Sequence, residues 1–79
     1  MSTYENFSFI LKTLKKFVKD KNISIETDTK FEEFGLDSIQ TLQFIKKIND
    51  EYKIKIKYSE LNKIKTIQDL INVIQNKLS

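Results

Sequence analysis

Ser38 is the residue in this chain best placed to do chemistry. It follows Asp37 and stands at the start of an amphipathic segment, in the run Gly35-Leu36-Asp37-Ser38-Ile39. A serine hydroxyl can be acylated or phosphorylated, but it needs a base to act as a nucleophile on its own. The chain has no histidine and no cysteine. Ser–His catalysis, thiol catalysis, disulfides and Cys/His zinc sites are therefore excluded on missing parts. Any reactive thiol must be supplied from outside the polypeptide. Taken alone, Asp-Ser before an apolar helix is an ordinary N-cap.

The elements that hold Ser38 follow from hydrophobic spacing. Asp37, with Gln40 three residues on, forms a capping-box signature, so the second helix is expected from Ser38 to about Tyr52. At about 100° per residue, Leu42, Phe44, Ile45, Ile48 and Tyr52 gather on a core face, and Ile39 lies opposite, near Gln43, Lys46, Lys47 and Asp50. The first helix is expected from Ser2 to Asp20, with a Ser2–Glu5 capping box and a stripe of Phe7, Ile10, Leu11, Leu14, Phe17 and Val18. Residues 21–36 lack a clean period. They read as a long ordered loop tacked down by Ile23, Ile25, Phe31 and Phe34, with Gly35 supplying a positive-φ turn.

After the second helix, Lys53 to Tyr58 alternates like a strand but has no partner. It reads as an extended linker that buries Ile54 or Ile56. Tyr58–Asn62 reads as a short third helix. Thr66, with Asp69 at the third position, caps a last helix whose stripe is Ile67, Leu70, Ile71, Ile74 and Leu78. The fold class is all-α, a single-domain helical bundle over 1–79.

Composition narrows the function. At 79 residues there is room for one domain with a modest core. No apolar run approaches the ~20 residues of a membrane span. The N-terminal segment lacks signal-peptide features, so the expected location is the cytoplasm. The net charge is +3, and all 14 cations are lysine. The want of arginine argues against base and phosphate readout, and no nucleic-acid or membrane partner is expected. The charge is uneven: residues 22–38 carry Glu26, Asp28, Glu32, Glu33 and Asp37 against Lys30 alone.

Gly35-Leu36-Asp37-Ser38-Ile39 at the start of a second helix resembles the mark of the acyl carrier protein family. The likeness extends to the opening Met-Ser-Thr, to the second-helix apolar pattern through Tyr52, and to Lys63-Ile64-Lys65-Thr66-Ile67-Gln68-Asp69-Leu70-Ile71 before the last helix. The resemblance implies a four-helix bundle of acyl-carrier type, with a long loop between helices 1 and 2 and a short helix 3. It implies a non-catalytic carrier. A phosphopantetheinyl transferase would move 4'-phosphopantetheine from coenzyme A onto Ser38, using its own Mg2+, and the arm's thiol would hold acyl groups as thioesters. Asp37, Gly35 and Leu36 would shape the attachment site. Leu36 has two open readings, packing the loop or touching partners.

The same resemblance implies partners that load, condense and off-load the acyl group, met by a face made of Ile39, Gln43, Lys46, Lys47 and Asp50. Cargo would fold back between helices two and three, near Leu42, Ile56 and Leu61. The chain departs from the fatty-acid carriers, whose second helix is strongly acidic. Lysines at 46 and 47 point instead to a polyketide or related specialised pathway. A monomer is expected of a shuttle, and the initiator Met with a full helix order leads us to expect a discrete protein. The alternatives without a prosthetic group are a basic helical module for nucleic acid or anionic surfaces, using Lys12–Lys21 and Lys53–Lys57, and a helical adaptor using the Ile39 face.

Overall fold

The computed structural model describes residues 3–20 and 22–79. Three α-helices, α1 (Thr3–Leu14), α2 (Ser38–Tyr52) and α3 (Ile67–Leu78), are joined by segments containing two 3-10 helices, Phe31–Phe34 and Tyr58–Lys63. The expected all-α bundle is present, with the second 3-10 helix in the place of the short third helix. The expected Ser2–Glu5 cap and the Met-Ser-Thr start involve residues outside those described.

The core has a simple origin. Ile67, Leu70, Ile71 and Ile74 recur along one face of α3 and are all fully buried. They meet Ile10 and Leu14 of α1 and Phe44, Ile45, Ile48 and Tyr52 of α2. Val18 and Ile56 reach the same core from outside the helices. Phe17 stands edge-on to Phe44 at 6.4 Å, and Phe9 edge-on to Tyr52 at 5.5 Å. The Tyr52 hydroxyl is buried without a hydrogen bond among the described residues. Burial, then Glu51 and Glu5, push its pKa up.

Four expectations need correction. The first helix does not reach Asp20. After Leu14 the regular ladder gives way to a turn that mixes three-residue bonds, Lys16 N–H to Thr13 O and Phe17 N–H to Leu14 O, with a four-residue bond from Val18 N–H to Leu14 O. Lys15 and Lys19 would stand one turn apart on a continued helix and repel. The turn instead tucks Val18 into the core. The buried face of α1 is also rotated: Asn6 and Thr13 are buried while Phe7 and Leu11 are only half-buried.

Leu42 is 46% exposed and is not core. It lies about 105° round from the centre of the Phe44–Ile45–Ile48–Tyr52 stripe, and only about 60° from Ile39. Leu78 is also exposed, because the contacting stripe ends at Ile74 and the last turn of α3 runs past the core.

The loop before α2 is ordered, as expected, and backbone bonds to the start of the last helix add to its apolar tacks. Phe31 N–H donates to Lys65 O, Ile67 N–H to Thr29 O and Gln68 N–H to Thr27 O, with an isolated antiparallel bridge between Lys30 and Thr66. This clamp holds the first 3-10 helix against the start of α3. After α2, Lys53 adopts a left-handed φ of 57°, and Asn49 fixes the linker by accepting from Ile54 through its carbonyl and from Ile56 through its side chain. Ile56 is buried and Ile54 half-buried, as a linker tacked by one isoleucine requires.

Thr66 Oγ1 accepts from Asp69 N–H at 3.1 Å, and the Asp69 carboxylate accepts from Lys65 N–H at 2.9 Å and Thr66 N–H at 3.1 Å. Those backbone donors, Lys65 first, hold the Asp69 carboxyl below its ordinary pKa. The folded state therefore binds this proton less readily than the unfolded chain. The stabilisation is present above about pH 4 and is lost as pH falls through the lowered value. Thr66→Ala should cost about 1 kcal/mol at neutral pH. Asp69→Asn should also destabilise at pH 7, and its deficit should narrow by pH 3. Urea midpoints at the two pH values check both.

Candidate carrier site

Gly35 ends the first 3-10 helix with φ 67° and donates its N–H to Glu32 O. A Cβ there would meet nothing within 4 Å, so the backbone conformation itself calls for glycine. The reversal turns the chain into Leu36, which is half-buried, and delivers Asp37 to the N-cap of α2. The Asp37 carboxylate accepts from Gln40 N–H at 2.7 Å, and the Gln40 side chain accepts from Asp37 N–H at 3.2 Å. Thr41 Oγ1 donates to Asp37 O at 2.9 Å. The capping box expected from the sequence is therefore complete, and α2 starts at Ser38 as expected.

Ser38 occupies the first helical position and is exposed. Asp37 takes up the Gln40 N–H, which leaves the N–H groups of Ser38 and Ile39 at the positive end of the helix dipole. Such a terminus suits a phosphate diester. Beside Ser38 lies a hollow whose wall includes Asp37, Thr41, Tyr58, Leu61 and Asn62. It adjoins an apolar cleft of ≈ 180 Å³ formed by Phe31, Glu32, Leu36, Thr41, Phe44, Ile45, Leu61 and Ile64. Leu36, Thr41 and Leu61 belong to both.

An exposed serine with hydrogen-bonding groups and an apolar cleft next to it is compatible with a covalently attached arm bearing an acyl chain. Among the described residues no group of three or more carboxylate, histidine or cysteine side chains could hold a metal ion.

The residues expected to meet partners are all exposed on α2. Ile39 (67% exposed), Gln43, Lys46 and Asp50 share one strip of α2, joined by the exposed Leu42. Lys46 Nζ pairs with Asp50 Oδ2 at 3.2 Å. Lys47 borders that strip and lines a shallow hollow between α1 and α2 with Thr13, Lys16, Asp50 and Glu51.

Of the three residues expected to meet cargo, Leu61 lines the cleft, while Leu42 and Ile56 are not among its lining residues. Leu42 faces solvent and Ile56 belongs to the core. Tyr58, 70% exposed and beside Ser38, was not a sequence candidate. It lies 20 positions downstream, and nothing in its local pattern signals the contact. No helix is long and apolar enough to cross a membrane among the described residues.

Comparison with known proteins agrees with this geometry. Residues 8–74 match the family model described as the phosphopantetheine attachment site. The chain is 41% identical over 66 residues to the acyl carrier proteins of Rickettsia canadensis and Rickettsia typhi, covering 82% of this chain and 76% of each relative. Its fold is similar to the crystal structure of an acyl carrier protein from Thermotoga maritima. The TM-score is 0.80 at 23% identity, over 99% of this chain and 92% of that one. By family model and by relatives together, the chain belongs to the acyl carrier protein family, non-catalytic carriers with a covalent 4'-phosphopantetheine that work with partner enzymes.

Proposed function

We propose that Ser38 is the attachment point of the phosphopantetheine arm, and that this carrier serves polyketide or related specialised biosynthesis. The observation that carries the attachment reading is the exposed Ser38 hydroxyl at the first position of α2, beside a hollow that opens to an apolar cleft. In the loading reaction, the Ser38 Oγ attacks the pantetheine-side phosphorus of coenzyme A. The pyrophosphate P–O bond breaks and 3',5'-adenosine diphosphate leaves. The hydroxyl proton passes to a base of the transferase, since no histidine is present in this chain.

Asp37 and Gln40 hold the helix end rigid, Gly35 sets the approach of the loop, and the free N–H groups of α2 favour the diester's charge. Tyr58 and Asn62 are placed to hydrogen-bond along an arm leaving Ser38, and Thr41, whose proton goes to Asp37 O, can only accept. When bound, the group supplies a terminal thiol that carries acyl units as thioesters. Incubation with coenzyme A, Mg2+ and a broad-specificity transferase should add one phosphopantetheine unit by intact mass. No gain from folded, unmodified protein would refute the reading.

The pathway reading rests on charge. Ile39 and Leu42 offer an apolar anchor beside Ser38, and the strip continues through Gln43 and Lys46 before it reaches a carboxylate, Asp50. Lys46 pairs with Asp50, but both side chains are exposed and such a pair is weak. Lys47 has no ion pair among the described residues. Partners with strongly basic docking grooves are thereby disfavoured. The double change Lys46→Glu with Lys47→Glu should raise kcat/KM several-fold with an enzyme whose carrier groove is basic. The gain should shrink as salt rises from 0.05 to 0.5 M. An unchanged kcat/KM at low salt would remove the charge argument.

A further inference from the structure

Two hollows of the surface share a wall. The apolar cleft beside the Ser38 hollow is bounded by Phe31, Glu32 and Ile64, and the same three residues bound a second hollow of ≈ 330 Å³ that also includes Lys30 and Lys65. Phe31 is half-buried and braced, edge-on to Phe34 at 5.7 Å and tilted against Phe44 at 6.0 Å. Its backbone is pinned by the Lys65 carbonyl. A braced aromatic ring in the partition between two hollows fixes how far anything in the first can extend.

We propose that Phe31 is a length-determining residue for the cargo, and that the cleft selects short, neutral, aliphatic acyl chains of up to about six carbons. This rests on the arm being at Ser38. The cleft's ≈ 180 Å³ compares with the roughly 150 Å³ apolar cavity that holds one benzene ring, six carbons in all. Its walls are apolar apart from Thr41 and Glu32. The Glu32 carboxylate on that wall disfavours a cargo ending in a carboxylate. Continuity with the Ser38 hollow through Leu36, Thr41 and Leu61 commits the cleft to a chain tethered at Ser38. Ile64 lines both hollows together with Phe31.

The test loads the full chain at Ser38 with butanoyl-, hexanoyl-, octanoyl- and decanoyl-phosphopantetheine and follows thioester cleavage by hydroxylamine. Each methylene taken into the cleft should slow cleavage by up to about fourfold. In the wild type the protection should rise to about six carbons and then level off. In Phe31→Ala the hollows join, and protection should continue to rise to ten carbons. Protection rising steadily to ten carbons in the wild type would overturn the proposal, as would an unchanged plateau in folded Phe31→Ala.

If Phe31→Ala is shown by circular dichroism not to fold, Ile64→Ala decides. A plateau moved to longer chains supports the proposal, and an unmoved one refutes it. Failure of the wild type to gain mass at all would instead sink the attachment reading, and the intact mass separates that result from a failure of length selection.

Discussion

Ser38→Ala should fold and melt like the wild type and accept no phosphopantetheine. Few single changes separate stability from function so completely. The Ser38 side chain is exposed, and the cap of α2 is made by Asp37 with Gln40, so neither is disturbed. Alanine at the first helical turn is at least as good a helix former as serine. The stability change should fall within about 0.5 kcal/mol, the range of surface substitutions away from special features. Loading, by contrast, should drop from complete to nil, because the bond that holds the arm has no other oxygen in its place. Thr41 is the nearest alternative hydroxyl on α2, and it is committed to the Asp37 carbonyl. The check is intact mass after transferase treatment, with thermal melts of the apo proteins alongside. A loaded Ser38→Ala protein would show that the arm sits elsewhere.

The largest expected loss of stability is at Phe44. Its ring is 1% exposed and packs near both Phe17 and Phe31, so it ties α2 to the turn after α1 and to the first 3-10 helix. Truncation to alanine removes a buried aromatic and leaves a void, at about 3–5 kcal/mol. Whole domains are stable by only about 5–15 kcal/mol, and small ones lie low in that range. At about 4–8 °C per kcal/mol for a domain of this size, the melting temperature should fall by roughly 12–40 °C. Phe44→Leu, which keeps most of the volume, should cost far less. A fall below about 5 °C for Phe44→Ala, measured by far-UV circular dichroism, would contradict the packing described here.

Much of this was legible in the sequence for identifiable reasons. Both ends of α2 follow from local chemistry. Gly35 supplies the left-handed turn, Asp37 and Gln40 close the capping box, and the apolar pattern runs out at Tyr52. The start of α3 is equally plain, because Thr66 and Asp69 satisfy each other's backbone. The apolar Ile39 on the polar side of α2 marked an exposed strip that the structure retains.

What stayed hidden is non-local or too short to have a period. The clamp of 27–31 on 65–68 is made by backbone groups, which carry no residue signature. Phe31–Phe34 spans a single turn, so no spacing could mark it. The early end of α1 depends on a turn that brings Val18 inward, and the stripe reads the same either way. Leu42 sat at the border of the helical wheel, where a sequence pattern cannot tell core edge from exposed strip.

The most direct test of the central claim is to locate the arm on the wild-type chain. Transferase-treated protein is cut after lysine, and the peptide spanning 31–46 is fragmented. This peptide holds only two hydroxyl side chains, Ser38 and Thr41. One phosphopantetheine unit is expected, on the fragment that contains Ser38 and ends before Thr41, with Ser8, Ser24 and Ser59 unmodified. The unit on Thr41, on any other serine, or on no peptide would contradict the claim.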